Sequence, residues 1–372
     1  RERRSHCTRG MIDLHQRRLI TTEEALDLVD QMAALGVMEV TLIGGEAYLR
    51  EDHLAIARRV VSRGMTCTVT TGGRALDASR ARGLREAGVT HVSVSLDGLE
   101  PTHDRLRGVA GSHGAALGAL AALRAAGLPV TVNTQISRPA LPELDELFEQ
   151  IADAGAHQWQ VQITTAMGRA GDEPELMLEP FMMIDAMDAL ARISARAAER
   201  GVRVWPGNNV GYFGPFEELL RGRVSSRRCS AGRGTLGIEA NGDVKGCPSL
   251  PTRDYVGGNI RDARLVDIWE RSAAVAFTRD RDASELWGGC AGCYYAEECA
   301  GGCSWTAHVL FGRRGNNPFC HHRALELLRE GRRERIVRVA APPGEPFDHG
   351  LFEVVEQPWP AAERAAAEAI AA

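Results

Sequence analysis

The sequence predicts an α/β protein, in which a partial (β/α)6 barrel of the TIM type is followed by a small cysteine-rich domain. Two observations support this fold class. Strand and helix patterns alternate from about residue 21 to about residue 205. Beyond that point the rhythm is lost, and seven of the nine cysteines fall between Cys229 and Cys320. We therefore expect three parts: the barrel in residues 1–205, the cysteine-rich domain in residues 206–335 and a tail in residues 336–372.

The alternation begins with a helix whose start the sequence marks. Thr21 and Glu24 form a capping-box pair ahead of apolar residues at helical spacing. Residues 38–43 then predict a short buried strand that ends at Gly44-Gly45. A strand that follows a capped helix and ends in glycines is the repeating unit of a parallel α/β fold.

The same unit recurs along the first half of the chain. Further strands are predicted at residues 66–70, 91–96, 130–136 and 159–164, and helices at 54–63, 78–87 and 181–200. About six such units predict a partial or full barrel, with its active site at the carboxyl ends of the strands. An open doubly wound sheet remains the alternative, because periodicity alone does not show closure.

The second half has a different character. Residues 237–244 predict a hairpin with Asn241-Gly242 as a type I′ turn, and a short helix is predicted near residues 265–272. The alanine-rich segment after Pro360 is expected to be a surface helix or disordered.

Composition excludes several classes of protein. The chain has 372 residues, of which 44% are hydrophobic and 25% charged, as in ordinary globular proteins. A net charge of −5 argues against a general nucleic-acid or membrane-surface binder. No apolar run approaches the roughly 20 residues that span a bilayer, so we expect a cytoplasmic protein. The chain begins at Arg1 without a signal-peptide pattern, so we expect its true start to lie upstream.

The clustered cysteines indicate ligation of an inorganic centre. Cys67 lies in an alternating apolar stretch and is expected to be a structural thiol, but seven clustered thiols need another explanation. Thiolates a few residues apart can converge on an iron–sulfur cluster. Zinc is the alternative, because C-x₂-C pairs also build Cys₄ sites. Seven cysteines do not divide into such sites. The candidate ligands are Cys229, Cys247, Cys290, Cys293, Cys299, Cys303 and Cys320.

The order of these cysteines resembles the SPASM domain. That pattern has a first cysteine, a G-x₄-C that matches Gly242 and Cys247, a C-x₂-C-x₅-C-x₃-C run and a last cysteine. The resemblance implies two auxiliary [4Fe–4S] clusters. One would be held by Cys290, Cys293, Cys299 and Cys320, and the other by Cys229, Cys247 and Cys303. Some family members have a further cysteine before the first, and residues 220–223 offer none. The second cluster would then have either an open iron or a non-cysteine ligand.

Motifs at the strand ends resemble radical S-adenosylmethionine (SAM) proteins. Gly44-Gly45-Glu46 matches the GGE motif, which receives the methionyl amino group of SAM. Glycines let the backbone approach a ligand closely, and a carboxylate accepts hydrogen bonds from an ammonium. The family usually has proline next, and this chain has Ala47. Gly72 also departs from the Thr-Thr-Asn-Gly of many relatives.

Three further polar residues are candidate SAM contacts. Ser95 and Asp97 follow the third strand in a stretch that, with residues 103–108, resembles SPASM-containing relatives. The resemblance implies that Ser95 contacts SAM. Asp97 either contacts SAM or caps the turn. Asn133 lies inside its strand, where it either faces the barrel interior as a SAM contact or is a buried amide with satisfied hydrogen bonds.

The catalytic cluster loop is incomplete. Cys7, preceded by His6, resembles the third cysteine of the C-x₃-C-x₂-C loop that holds the catalytic [4Fe–4S] cluster of this family. Arg4 occupies the second position, and the first would precede Arg1. Arginine stays protonated and cannot replace a thiolate. Arg4 is then an error or a damaged copy, the mark of a natural degenerate member, or a sign that other ligands complete the site.

The resemblance implies a radical SAM enzyme. Such an enzyme cleaves SAM reductively to a 5′-deoxyadenosyl radical and abstracts a hydrogen atom from a ribosomally made peptide or a protein. A small electron donor such as flavodoxin or ferredoxin would supply the electron. The alternative is a non-catalytic SPASM protein that binds peptide or relays electrons, and a zinc-stabilised α/β protein is a third possibility.

Overall fold

A computed structural model describes residues 18–222, 228–344 and 348–371. Six strands form its largest sheet: β1 (Glu39–Leu42), β2 (Thr66–Thr71), β3 (His91–Ser95), β4 (Val130–Ile136), β5 (Gln158–Ile163) and β6 (Arg203–Pro206). They lie side by side in the order β1-β2-β3-β4-β5-β6, and the first four pair in parallel. Each strand thus neighbours the next one along the chain, which confirms the predicted α/β fold of successive βα units.

Helices occupy the crossovers of this sheet, as right-handed parallel connections require. They are α1 (Thr22–Ala34), α2 (His53–Ser62), α3 (Ala78–Glu86), α4 (Glu100–Arg107), α5 (Ser112–Ala125), α6 (Leu144–Asp153), α7 (Arg169–Asp172) and α8 (Met183–Glu199). The capping box of α1 is confirmed, because the Glu24 amide donates to Thr21 Oγ1 at 3.2 Å and the Thr21 amide donates to Glu24 Oε2 at 2.7 Å.

The first strand is not the buried strand that its sequence predicts. In β1 the residues alternate between exposed and half-buried, and the preceding Met38 is 84% exposed. The physical reason is position, since β1 is an edge strand of the sheet and pairs on one side only, with β2. An apolar run shows strand propensity but not the number of neighbours that cover it.

The cysteine-rich half consists of short elements. Its helices are α9 (Glu217–Arg221), α10 (Thr252–Tyr255), α11 (Leu265–Arg271), α12 (Ala273–Ala276), α13 (Ala296–Cys299), α14 (Ser304–Phe311), α15 (His321–Arg329) and α16 (Ala361–Ala371). Its strands are β7 (Gly237–Ile238), β8 (Asp243–Lys245), β9 (Val256–Asn259), β10 (Arg332–Ala340) and β11 (Leu351–Pro358). Single 3₁₀ turns lie at Ala47–Leu49, Leu141–Glu143, Pro174–Leu176, Pro180–Met182, Ala283–Glu285 and Gly288–Cys290.

The predicted hairpin around residue 241 exists, but its turn is of another type. β7 and β8 pair antiparallel, with Ile238 opposite Val244. Gly242 has φ +89°, whereas Asn241 is not among the positive-φ residues of the described chain. A type I′ turn needs positive φ at both central residues. The Gly242 amide donates to Glu239 O at 2.9 Å, so the turn centres one residue earlier and places Gly242 in the left-handed position that follows it.

The described chain divides into two compact units. The first comprises residues up to Thr134, Glu149–Trp159 and Ala231–Phe277. One of its cores joins the start of the barrel to the hairpin region; the buried members are Leu28, Val244, Leu265, Ile268 and Val275. The segment with β7, β8 and β9 therefore packs on α1.

The second unit comprises Gln135–Phe148, Gln160–Ser230 and Thr278–Ala372. Its C-terminal hairpin, β10 with β11, was not predicted. Glu179 anchors this hairpin, because its buried carboxylate accepts from the Ile336 amide at 3.1 Å and from Arg335 at 3.0 Å. The boundary expected after residue 335 falls inside β10. The alanine-rich tail is helix α16.

Among the residues that the structure describes, no helix is both long and apolar enough to cross a membrane.

Candidate functional site

The carboxyl ends of β1 and β2 place a carboxylate at one edge of the sheet. The Gly44-Gly45-Glu46 turn follows the end of β1 by one residue. Gly44 has φ +135°, a backbone conformation that residues with a side chain rarely adopt. Glu46 Oε1 accepts a hydrogen bond from the Gly72 amide at 3.1 Å, and Oε2 accepts from the Thr71 hydroxyl. The carboxylate is thereby fixed between two strand ends.

A buried hydroxyl network holds Thr71 in this position. Tyr48 Oη lies 3.0 Å from Thr71 Oγ1 and donates to Arg74 O at 2.7 Å. The Gly73 amide donates to Thr71 Oγ1 at 2.8 Å. Burial raises the pKa of the Tyr48 phenol, so its proton stays in the network. Glu46 therefore has a fixed orientation. Its carboxylate still has lone pairs that can accept hydrogen bonds from an ammonium group.

The glycine that departs from the family pattern has a structural explanation. A Cβ atom at Gly72 would lie 3.1 Å from Glu46 Oε1, a close contact. Glycine at this position lets the backbone amide approach the carboxylate without crowding it.

Ser95 and Asn133 lie opposite each other on neighbouring strands β3 and β4. Both are half-buried, and the Leu96 amide donates to Asn133 O at 2.9 Å, so the end of β3 is joined to the middle of β4. They sit at the same carboxyl edge as Glu46, where parallel folds bind ligands. Their contact with SAM stays a prediction.

Asp97 takes part in the turn after β3. Its carboxylate is 7% exposed and pairs with Arg107 at 2.6 Å, and its amide donates to His103 Nδ1 at 3.0 Å. Burial lowers the pKa of His103 to about 4, so the ring is neutral and accepts this bond. These contacts hold Asp97 within the turn after β3, and both expectations for it, contact with SAM and capping of the turn, stay predictions.

Four of the predicted cysteine ligands surround one cavity. They are Cys290, Cys293, Cys299 and Cys320, all in the second unit. The space between them is partly open to solvent. An aromatic wall covers part of it: Phe213 stacks on Tyr295 at 4.2 Å between ring centroids, and His322 meets the same ring edge-on at 5.0 Å.

Backbone amides point at the sulfur atoms of this cavity. The Asn317 amide donates to Cys290 Sγ and the Tyr295 amide to Cys293 Sγ, both at 3.4 Å. Amide donors of this kind stabilise negative sulfur and tune iron–sulfur clusters. Burial raises the pKa of Cys299 to about 12. The Cys299 thiol is therefore neutral without a metal and ionises on coordination.

The chemistry of the four donors suits an iron–sulfur cluster. Thiolates are the ligands of such clusters, and backbone amides already donate to two of these sulfurs. The donor set and its spacing thus agree with a [4Fe–4S] cluster.

The other predicted ligands have different surroundings. Cys229 and Cys303 are both buried and belong to the second unit, whereas Cys247 belongs to the first unit. Cys67 is buried in β2, and burial raises its pKa to about 11, as suits a structural thiol. Cys7 and Arg4 lie outside the described residues.

Tyr212 is a supporting residue that sequence reasoning missed. Its hydroxyl accepts from the Cys303 amide at 3.0 Å, and its carbonyl accepts from the His322 amide at 3.1 Å and from Cys320 Sγ at 3.7 Å. A Cβ atom at Gly302 would lie 2.7 Å from the phenol ring, so that glycine is needed. Tyr212 joins the Cys303 loop to the Cys320 segment. The only sequence signal is an aromatic pair between two glycines, at residues 211–214.

Lys245 supports the loop that carries Cys247. It is the single lysine of the sequence and is 2% exposed. Its Nζ donates to Leu250 O at 2.8 Å and to Pro248 O at 3.2 Å, and it pairs with Glu239 at 2.6 Å. A compact ammonium thus closes the loop on both sides of Cys247.

Fold and donor set together define an α/β iron–sulfur protein with a carboxylate at the ligand-binding edge of its sheet. Sequence profiles place it further. The Radical SAM superfamily profile matches residues 5–154, and the profile of SPASM, an iron–sulfur cluster-binding domain, matches residues 229–294. An AdoMet-dependent heme synthase of Methanosarcina barkeri is 31% identical over 325 residues, covering 82% of this chain and 88% of the relative. The chain belongs to the radical SAM superfamily and carries a SPASM domain.

Further similarities are more distant. A PqqA peptide cyclase of Granulibacter bethesdensis is 28% identical and covers 79% of this chain and 76% of its own. The structure of SuiB from Streptococcus suis with S-adenosylmethionine matches with a TM-score of 0.61 at 16% identity, over 78% of this chain and 67% of SuiB. SuiB with the precursor peptide SuiA gives the same score and identity, over 81% and 69%. The structural likeness supports the fold, and family membership brings [4Fe–4S] clusters and SAM as cofactors.

Proposed function

We propose that the chain is a radical SAM oxidoreductase that removes a hydrogen atom from a C–H bond of a ribosomally made peptide or a protein. The observation that supports it most is the cavity in which Cys290, Cys293, Cys299 and Cys320 converge. Four half-buried thiols, two of which accept hydrogen bonds from backbone amides, suit a redox centre. The same chain carries a fixed carboxylate, Glu46, at the ligand edge of its sheet.

When bound, the catalytic cluster and SAM supply a 5′-deoxyadenosyl radical. The protein's own part is binding and orientation. Glu46 would accept the methionyl ammonium, and Thr71 with the Gly72 amide hold its two oxygens in place. Ser95, at the end of β3, and Asn133, opposite it inside β4, offer further polar groups.

A peptide is the first candidate substrate. The relatives named PqqA peptide cyclase cover 79–92% of this chain at 25–28% identity. SuiB, of the same fold, binds a precursor peptide. We further propose that a flavodoxin or ferredoxin delivers the electron.

A heme precursor is the second candidate. Relatives named AdoMet-dependent heme synthase are 26–31% identical to this chain. The non-catalytic alternative rests on Arg4, which lies outside the described residues, and these relatives carry the names of enzymes.

The substrate class can be tested directly. Anaerobically reconstituted protein would be given SAM and dithionite with either Fe-coproporphyrin III or a synthetic precursor peptide encoded beside the gene. The proposal predicts that the peptide alone stimulates 5′-deoxyadenosine formation and loses hydrogen mass. Stimulation by Fe-coproporphyrin III alone would replace the peptide by a heme precursor. Stimulation by neither would contradict both.

A further inference from the structure

One buried arginine in the second unit has hydrogen-bond donors that the described protein groups leave unused. Arg281 is 5% exposed, and its Nη1 donates to Ser304 Oγ at 2.9 Å. Within the described part of the chain, no atom accepts a hydrogen bond from its Nε or Nη2. The Glu285 carboxylate is 3.9 Å from Nε, which is beyond hydrogen-bond range.

This arrangement is unfavourable without a further partner. A buried guanidinium with two unused donors loses hydration, and the Glu285 carboxylate at 3.9 Å offsets it only through its charge, without a hydrogen bond. Burial lowers the pKa of Arg281, and the nearby sulfur of Cys229 raises it. Arginine nevertheless stays protonated in proteins, so a full positive charge is enclosed here.

The guanidinium lies against the loop that carries two predicted ligands. Ser304, which accepts from Nη1, directly follows Cys303. A Cβ atom at Gly301 would lie 3.1 Å from Nη2, so the fork reaches the backbone between Cys299 and Cys303. Cys229 is the sulfur with the largest electrostatic effect on Arg281. Cys299, which belongs to the four-cysteine set, has a smaller effect on Arg281. The unused donors therefore lie beside the Cys299–Cys303 loop, with Cys229 as the sulfur that affects them most.

We propose that Arg281 donates hydrogen bonds to sulfur atoms of the auxiliary [4Fe–4S] cluster to which Cys229 and Cys303 contribute, and that it raises the reduction potential of that cluster. One-electron reduction adds negative charge to the cluster. The positive guanidinium beside it then stabilises the reduced cluster. Net charge and hydrogen bonds to sulfur are known to set cluster potentials. Arg281 is a positioning residue, because its protonated nitrogens cannot ligate iron. The inference holds for any substrate class.

The test compares the reduction potentials of matched variants. Arg281→Met removes the charge and the donors, and Arg281→Lys keeps the charge but loses the fork. Arg314→Met is the control, because it removes a neighbouring cation that is 26% exposed and screened by water. Each reconstituted protein would be titrated with dithionite and redox mediators while electron paramagnetic resonance follows the clusters. Iron content would be measured on the same samples.

We expect one midpoint potential of Arg281→Met to shift to more negative values, with a smaller shift of the same sign in Arg281→Lys. The Arg314→Met variant should keep the potentials of the unchanged protein. Unshifted potentials in Arg281→Met at full iron content would overturn the proposal, and so would an equal shift in Arg314→Met. If Arg281→Met loses iron, the lysine variant decides: an unshifted potential there contradicts the assignment.

Discussion

At the residue scale, Glu46 has two fixed hydrogen-bond donors and remaining lone pairs at the carboxyl edge of the sheet. Glu46→Gln keeps the size of the side chain and removes its charge. A hydrogen bond to a charged group contributes about 1.5–3 kcal/mol, so we expect the Kd for SAM to rise roughly 10- to 100-fold. Equilibrium binding of SAM measures this. Glu51→Gln, an exposed carboxyl nearby, is the control, and equal affinities in both variants would remove Glu46 from the site.

The cysteines give a second test. Cys299→Ala removes one thiol from the four-cysteine cavity, and we expect the chain to lose about four irons, because one four-iron cluster can no longer be held. The Cys67→Ala variant, which removes a buried thiol of β2, should keep the iron content of the unchanged protein. Iron and acid-labile sulfide analysis would show the difference. Full iron in Cys299→Ala would mean that the cavity does not hold a cluster.

His103 makes stability depend on pH. Burial lowers the pKa of His103 to about 4, whereas in the unfolded chain it is near 6.5. Between these values the unfolded chain binds more protons, so stability falls as the pH is lowered through this window. His103→Asn keeps an acceptor for the Asp97 amide and does not titrate. The stability difference between unchanged protein and variant should therefore change between about pH 7 and pH 5.

Thermal unfolding at the two pH values measures this, with the exposed His157→Asn as the control. A difference in Tm that is the same at both pH values would show that His103 has the same pKa in the native and unfolded states, which would contradict the account.

The site residues divide by how local their signals are. Cysteine spacing and the Gly-Gly-Glu turn are short-range patterns, so the sequence predicts the ligand set and the carboxylate. Tyr212 and Arg281 act through contacts with segments 20 to 110 residues away, as the 108-residue separation of Tyr212 and Cys320 illustrates. No local pattern encodes such contacts.

At the element scale, the loop after β8 depends on Lys245. Lys245→Met leaves two carbonyls and Glu239 without their cation, and breaking a buried pair of this kind should lower the free energy of unfolding by about 3 kcal/mol. Lys245→Arg should also destabilise, because the longer planar guanidinium does not fit between the Pro248 and Leu250 carbonyls.

Denaturant unfolding under anaerobic conditions measures both variants. Thr252→Val, which removes one weaker contact of Lys245 at 3.2 Å, is the graded control with a loss of about 1 kcal/mol. Unchanged stability in Lys245→Arg would show that only the charge matters.

Elements are predicted well where the local sequence signal is strong. The capping box marks the start of α1, and the strand predicted at residues 130–136 is β4. The edge position of β1 was not predicted, because coverage of a strand depends on its neighbours. The hairpin of β10 and β11 was missed because its strands carry many charges, such as Arg332 and Glu356, which pair across the strands.

At the scale of the whole molecule, the compact units do not follow the chain's change of character. Residues Ala231–Phe277 pack with the start of the barrel, although their composition belongs to the cysteine-rich half. Composition shows where the alternation of strands and helices ends. It does not show which hydrophobic core a segment packs against. The three sequence domains therefore stay a prediction about folding units, which limited proteolysis can examine.

The most direct measurement of the central claim is SAM cleavage. The protein would be reconstituted anaerobically with iron and sulfide, reduced with dithionite and incubated with SAM, and 5′-deoxyadenosine and methionine would be quantified. If the chain is a radical SAM enzyme, both products are expected in equal amounts. Two four-iron clusters contain about eight irons. If protein that retains this iron content forms neither product, catalysis is contradicted, and the chain is a radical SAM superfamily member that only binds peptide or relays electrons.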